Sequence, residues 1–409
     1  MRIVVAGGGS AGHMAASHMR HHFPEADLVH AYDPRLPAIG VGEGTTPVFT
    51  EWAEKVLGWD MAYLTEHCDA TPKQGIIFEG WGKAADTYSH YFHATEGTAC
   101  HLSAERLIRH LSAESSARIV PEGILEIRSV PPTASVLLAN GQTLHADFVL
   151  DARGFPQELA ERDVPLACVT TGAAWLLRGP VRAPMDRTRA VARPYGWIFV
   201  IPLQHDTAYG YVHTPSDRSL AKTDFRAFLA GEDVKPQTTP RWLPFPNFRR
   251  RTLFDGVVLS LGNRASFVEP LEATALGLIV LQLRLATFWL LDQKLGLGQA
   301  NGVAAMNETL ASTIDEVASF VGWHYEMGSN YHTPFWARSA TAYAEWMQQR
   351  PETHSARFSA YKARGKAMPR HLAFVESAAE LNAPIASRDT FGGFLDLSFA
   401  KVGYGIGAF

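Results

Sequence analysis

Six residues near the N-terminus could hold a phosphate: Gly7-Gly8-Gly9-Ser10-Ala11-Gly12 satisfies G-x-G-x-x-G. In such a loop Gly7 lets the chain turn sharply, Gly9 lets backbone approach a pyrophosphate, and Gly12 lets the next helix pack against the strand. Ser10 and Ala11 open that helix, whose free N–H groups face the phosphates. An acid about 20 residues further on should bind the ribose hydroxyls. Asp33 stands there, with Tyr32 as an alternative strand end. The stretch also matches G-x-S-x-G, which would make Ser10 a hydrolase nucleophile. That elbow follows several strands, and only one precedes it here, so the nucleotide reading is preferred. Among the 17 histidines, His13, His18, His21 and His22 fall on the first helix, where His18 and His21 could share a face. Neither HEXXH nor Cys/His spacing accompanies them, and no metal is expected. The cysteines, Cys68, Cys100 and Cys168, form no C-x-x-C pair and are odd in number. A disulfide framework is not expected, which fits a reducing cytoplasm.

The elements that must position this chemistry follow from pattern. Residues 2–6 (RIVVA) read as a buried strand, 11–22 as a helix and 27–32 as a second strand, a βαβ opening. Residues 48–68 carry helical spacing with Trp52, Val56 and Leu57 on one face, and 103–116 read as another helix. Residues 135–151 read as a hairpin turning at Asn140-Gly141, then a strand ending at Asp151. From about 165 to 255 short strand-like runs alternate with many Pro and Arg residues. Val257–Leu261 reads as a buried strand, a long apolar helix follows Pro270, and 300–380 read as mostly helical. A dinucleotide-type lobe is therefore expected from the N-terminal segment with pieces near 145–155 and 257–290. A β-rich lobe is inserted and a helical region closes the chain.

Composition narrows the function. At 409 residues, 46% hydrophobic and 19% charged, the chain suits two or three lobes with a large core. A formal net charge of −4 offers no basic surplus for nucleic acid or an anionic membrane. The apolar run before the first glycines is too short for a secretory signal. The run from Ala273 to Leu291 is interrupted by Gln282 and Arg284, so a buried core helix is expected rather than a membrane span.

Five further segments occur in a telling order. They are Ile39-Gly40-Val41-Gly42-Glu43-Gly44-Thr45-Thr46-Pro47; Asp69-Ala70-Thr71-Pro72-Lys73-Gln74-Gly75-Ile76-Ile77-Phe78-Glu79-Gly80-Trp81; Ala146 to Phe155; Tyr195-Gly196-Trp197-Ile198-Phe199-Val200-Ile201-Pro202-Leu203; and Phe267-Val268-Glu269-Pro270-Leu271-Glu272-Ala273-Thr274. With the glycine loop, they resemble the flavin-dependent tryptophan-halogenase family across nearly the whole chain. His324-Tyr325 and Pro334-Phe335-Trp336 echo that family's helical tail. Three features depart from it: Phe199 replaces the second Trp of the G-W-x-W signature, Ala275 stands where several members have Gly, and the chain is shorter.

The resemblance implies an α/β fold with an FAD-binding Rossmann-like lobe of the glutathione-reductase type over 1–165, continued at 245–295. It also implies a β-rich substrate segment over 166–244 and a helical region over 296–409. FAD, supplied reduced as FADH2, would lie on Gly7, Gly9, Ser10, Ala11, Gly12, Asp33, Gly40, Val41, Gly42, Thr45, Gly262 and Asn263. With O2 and chloride or bromide it would yield hypohalous acid, which reaches a lysine beside the substrate. Lys73 matches that lysine. Taken alone it would read as a solvated surface residue; the flanking Gly75, Ile76, Phe78 and Trp81 pattern favours the functional reading. Glu272 matches the catalytic glutamate, expected at the start of the long helix, where an acid also suits the helix dipole. Thr274 and Ala275 would hold halide, near Pro270 and the aromatic wall of Trp197 and Phe199. The reaction expected is halogenation of an electron-rich arene such as an indole or a tryptophan-type substrate. The alternative is a flavin monooxygenase hydroxylating an aromatic group, including a tryptophan within a peptide or protein. No second glycine fingerprint for NAD(P)H is present, so a separate NAD(P)H-dependent flavin reductase is the expected partner, and homodimer formation stays open.

Overall fold

The computed structural model describes residues 1–36, 43–82, 87–92, 98–182, 186–297 and 301–349. Its organising element is a five-stranded parallel sheet in the order Val258–Ser260, Phe148–Asp151, Arg2–Ala6, Asp27–Ala31, Arg118–Val120. Arg2–Ala6 is central and nearly all buried because both its faces are covered, the usual condition of a parallel sheet. Ile3 and Val5 face helices Ser10–His22 and Ala275–Lys294. Val4 faces an antiparallel three-stranded layer, Ile124–Val130, Thr133–Leu138 and Thr143–Ala146, whose Val136 and Leu138 complete a second core. The turn expected at Asn140-Gly141 forms, with Gly141 at φ +85°. The Rossmann-like lobe expected from the opening βαβ pattern is thus present, and Ile124–Val130 adds a strand that the sequence reading lacked.

A seven-stranded sheet forms the second lobe, in the order Arg241–Pro244, Ala173–Gly179, Thr207–His213, Gly196–Pro202, Arg187–Arg193, Gly75–Glu79, Thr87–Tyr91. It draws on more than residues 166–244, since Gly75–Glu79 pairs in parallel with Arg187–Arg193. Along Gly196–Pro202 the side chains alternate with period two. Trp197, Phe199 and Ile201 enter the main core, while Ile198 and Val200 pack toward helix Arg218–Gly231.

The helix expected over 48–68 is two. Pro47–Trp52 runs on through a wide turn at Ala53–Leu57 and ends at Gly58, whose φ of +70° breaks the helix. Met61–Cys68 then restarts, with the Asp60 carboxylate accepting the Tyr63 N–H at 2.8 Å. Helix Ala275–Lys294 is long and apolar enough to cross a membrane. Leu276 to Leu283, with Ala286 and Leu290, are nevertheless packed in the core, as expected of a core helix. Helices Gly302–Met327 and Pro334–Gln348 pack on each other and close the described part of the chain.

Candidate active site

The glycine loop has the geometry its spacing demands. Gly7 lies at φ +123°, and any Cβ there would collide with the Ala152 carbonyl; one on Gly12 would strike the Gly7 carbonyl. Gly9 faces open space, and no side chain caps the helix N-terminus that follows it. A loop closed against its own backbone on two sides and open on the third, beside unfilled N–H donors, fits the pyrophosphate of FAD. His30 holds it from beneath, its Nε2–H donating to the Gly7 carbonyl at 2.8 Å, and the His13 and Tyr32 rings pack beside it. Gly262, at φ +56°, abuts Ala11 and brings Asn263 to the same edge. Asp33 lies two residues past the strand end, with its carboxylate on the Arg35 guanidinium at 2.9 and 2.8 Å. That hydrogen-bonded pair holds its pKa down to about 2. Gly40, Val41 and Gly42 lie outside the described residues. Thr45 lies between Cys100 and Lys73. It is fully buried, its hydroxyl accepting the Cys100 N–H and its carbonyl the Lys73 ammonium, so both groups are committed within the protein.

Lys73 ends the short strand Thr71–Lys73 and is fully buried. Its Nζ lies 3.0 Å from the Thr45 carbonyl and 5.2 Å from the centre of the Phe92 ring. Burial pulls its pKa down to about 8, against the opposing pull of Glu272. A Cβ on Gly44 would sit 3.3 Å from Lys73 Nζ and 3.3 Å from Ala273 Cβ, so that glycine is the gap across which the lysine faces the turn bearing Glu272.

Glu272 belongs to a separate 3-10 turn, Pro270–Glu272, rather than to the first turn of the long helix. The cause is Ala273 at φ +56°, a left-handed residue that interrupts the helix before Ala275. Glu272 is fully buried, with His90 Nδ1 at 3.0 Å and His324 Nε2 at 2.9 Å. Burial opposes its ionisation, but the two histidines outweigh burial and hold the carboxyl down to about 2. Both ring nitrogens of His324 face oxygen acceptors, since Nδ1 lies 2.8 Å from the Phe320 carbonyl. His324 thus lies between the Phe320 carbonyl and the Glu272 carboxylate.

On the other side of the same turn, Thr274 and Ala275 line a small void of about 20 Å³ with Gly262 and Asn263, so the expected halide and flavin-edge residues do share one place. Pro270 is exposed at the turn's outer corner. Trp197 and Phe199 are buried. Phe199 fits its ring against Gly210, its register partner, and Trp197 donates its indole N–H to Glu269 at 3.2 Å. Glu269 also accepts from Tyr325 at 2.6 Å and from Thr171, yet burial raises its pKa to about 7.

With this geometry in view, comparison with known proteins decides the class. The sequence model of the tryptophan halogenase family matches residues 2–126 and 97–381. The chain belongs to the tryptophan halogenase family. RebH, the tryptophan 7-halogenase of Lentzea aerocolonigenes, is 25% identical over 441 residues, covering 87% of this chain and 82% of RebH. Xcc4156, a flavin-dependent halogenase from Xanthomonas campestris, superposes with a TM-score of 0.73 at 24% identity, over 85% of this chain and 83% of that one. A tryptophan halogenase from Shewanella frigidimarina superposes with a TM-score of 0.78 at 19% identity, over 99% and 88% of the two chains. Membership favours the halogenase reading over the monooxygenase alternative. It makes the chain an FAD-dependent enzyme working with reduced flavin, dioxygen and halide.

Within this tryptophan halogenase fold, several residues around the two glutamates escaped the sequence reading: His90, Glu269, Thr171 and the inward roles of His324 and Tyr325. For His90 a signal existed, because Tyr88 and His90 alternate inward along Thr87–Tyr91. The first-helix histidines divide between core and surface, His13 and His18 buried and His21 and His22 exposed. His18 is buried, with Trp52 Nε1 at 3.0 Å and Thr287 Oγ1 at 2.9 Å, while His21 is exposed.

Proposed function

We propose that this chain halogenates an electron-rich arene of the indole or tryptophan type, free or within a peptide, with Lys73 delivering the halogen. The observation that carries this is the pairing, across Gly44, of a fully buried lysine with a turn whose glutamate is held ionised by two histidines. FAD, bound reduced at the glycine loop, would generate the electrophilic halogen from halide and dioxygen. Gly7, Gly9, Gly12 and the start of the Ser10–His22 helix would hold its pyrophosphate, Asp33 its ribose, and Gly262 and Asn263 its far edge. Thr274 and Ala275 would hold the halide on that side.

Lys73, with a pKa near 8, is partly amine at neutral pH and can carry the halogen by hydrogen bond or as a haloamine. The surrounding burial keeps water from competing for it. Glu272 supplies a fixed negative charge beside the cationic ring intermediate. With a histidine nitrogen within 3.0 Å of each of its oxygens and its pKa depressed, it suits electrostatic stabilisation better than proton abstraction. Trp197 and Phe199 would wall the flavin from the substrate. Reduced flavin would come from a separate NAD(P)H-dependent reductase.

The test is mass spectrometry of turnover mixtures containing FAD, a flavin reductase, NADH and oxygen. Indoles and tryptophan peptides would be offered with chloride, with bromide and without halide. A bromide-dependent mass gain showing the bromine isotope doublet is expected, and it should disappear in Lys73→Ala. Gain of oxygen regardless of halide would overturn the assignment.

A further inference from the structure

The carboxyl edge of the parallel sheet holds a second feature that the halogenation chemistry does not use. Beside edge strand Val258–Ser260 and the end of Phe148–Asp151 runs a cleft of about 740 Å³. That is within the range of small-molecule sites. Five guanidiniums line it, those of Arg153, Arg162, Arg250, Arg251 and Arg264, against the carboxylates of Glu126, Asp151, Glu161 and Asp255.

The charges do not cancel in place. Asp151 is shared by Arg153 at 2.8 Å and Arg264 at 3.1 Å. Glu126 pairs with Arg128 at 2.8 Å, and Asp255 accepts the backbone N–H groups of Val257 and Val258. Arg162, Arg250 and Arg251 are left without a carboxylate partner among the described residues. Arg250 is the decisive one. It is 7% exposed, its Nε donates to the Arg264 carbonyl at 3.0 Å, and its Nη2 has no partner at all. A buried guanidinium with an unanswered N–H is costly unless something supplies the acceptor. Burial, with the nearby Arg264 and Arg162, pushes its pKa below the ordinary arginine value against the opposing pull of Asp163 and Asp151.

We infer that this cleft binds a phosphate-bearing small molecule of up to nucleotide size, gripped by Arg162, Arg250 and Arg251. Guanidinium forks match phosphate oxygens in pairs. Leu125 and Ile127 add an apolar wall on which a base or other flat group could rest. The cleft is separate from the flavin's own phosphate loop. None of Gly7 to Gly12 lines it, and the sheet order puts Asp33 and the cleft on opposite sides of the central strand.

Calorimetric titration of the FAD-loaded full chain with inorganic phosphate, pyrophosphate and ADP tests this. We expect saturable one-to-one binding of pyrophosphate or ADP. The exposed-residue double variant Arg162→Gln/Arg251→Gln should weaken it about tenfold or more, with flavin occupancy and thermal midpoint unchanged. Tightest binding of ADP would indicate a nucleotide; equal binding of pyrophosphate would indicate recognition of the phosphates alone. Absence of heat with all three probes overturns the inference, as does equal affinity in the double variant. Displacement of FAD by ADP also overturns it, by placing the cleft inside the cofactor's own site.

Discussion

Gly7 and Gly9 stand two residues apart and answer to different demands. Gly7 is fixed by the fold, because its φ of +123° and the Ala152 carbonyl exclude a side chain. Gly9 has an ordinary φ of −85° and open space. Gly7→Ala should therefore cost about 1–3 kcal/mol of stability. Gly9→Ala should leave the thermal midpoint nearly unchanged but weaken FAD binding by about tenfold, because the new methyl occupies the approach of the pyrophosphate. Differential scanning fluorimetry with a flavin titration separates the two effects. A Gly9→Ala chain that bound FAD normally would remove the loop from the cofactor site. Lys73 carries a similar conflict between fold and function. Its folded pKa, about 8, lies below the ordinary 10.5. Between those values the unfolded chain keeps a proton that the folded chain has released, so its contribution to stability rises with pH through that window. Below pH 8 the buried charge is a standing cost. Lys73→Met should accordingly melt higher than the parent at pH 7, with the gap narrowing by pH 10, while product formation falls by about 10²-fold or more.

At the scale of elements, the site depends on one grip. Adjacent residues of helix Gly302–Met327 hold both glutamates of the turn, His324 on Glu272 and Tyr325 on Glu269. Glu269 also takes the indole N–H of Trp197, and Asn247 accepts its backbone N–H at 2.8 Å. Helix Gly302–Met327, strand Gly196–Pro202 and the approach to the Pro270–Glu272 turn thus meet at one carboxyl group. Because its folded pKa of about 7 exceeds the ordinary 4.5, the folded chain keeps a proton that the unfolded chain has lost between those values. The stability from Glu269 must fall as pH rises through that window. The drop in melting temperature from pH 5 to pH 8 should be smaller in Glu269→Gln than in the parent, and an unchanged drop would show that Glu269 does not titrate there. Little of this grip was legible in the sequence. His324-Tyr325 read only as a helical echo, because helical periodicity gives the buried face but not which distant carboxylates that face will meet. Glu272 was legible as a residue and misplaced as an element, since no local rule anticipates a left-handed Ala273.

Across the whole molecule, the parallel sheet was legible because its strands are buried on both faces and read as short unbroken apolar runs, RIVVA and FVLD among them. The second sheet was legible only in its middle. Gly75–Glu79 joins Arg187–Arg193 across more than a hundred residues, and nothing local in either strand names that partner. The same view bears on where electrons enter. Among the described residues one strand, glycine turn and helix form a dinucleotide-type loop, at the central strand of the parallel sheet, and the seven-stranded sheet forms no second one. Direct hydride delivery would need a nicotinamide seated against the flavin by a phosphate grip of its own. The purified, FAD-loaded chain should therefore consume NADH no faster than the same concentration of free FAD. Turnover should appear when a flavin reductase is added, even behind a membrane that passes flavin but not protein, because the reduced cofactor can diffuse between the two. If the chain alone oxidised NADH in step with product, reduction would belong to this molecule, and the arginine cleft at the sheet's edge would be the first place to look for the dinucleotide.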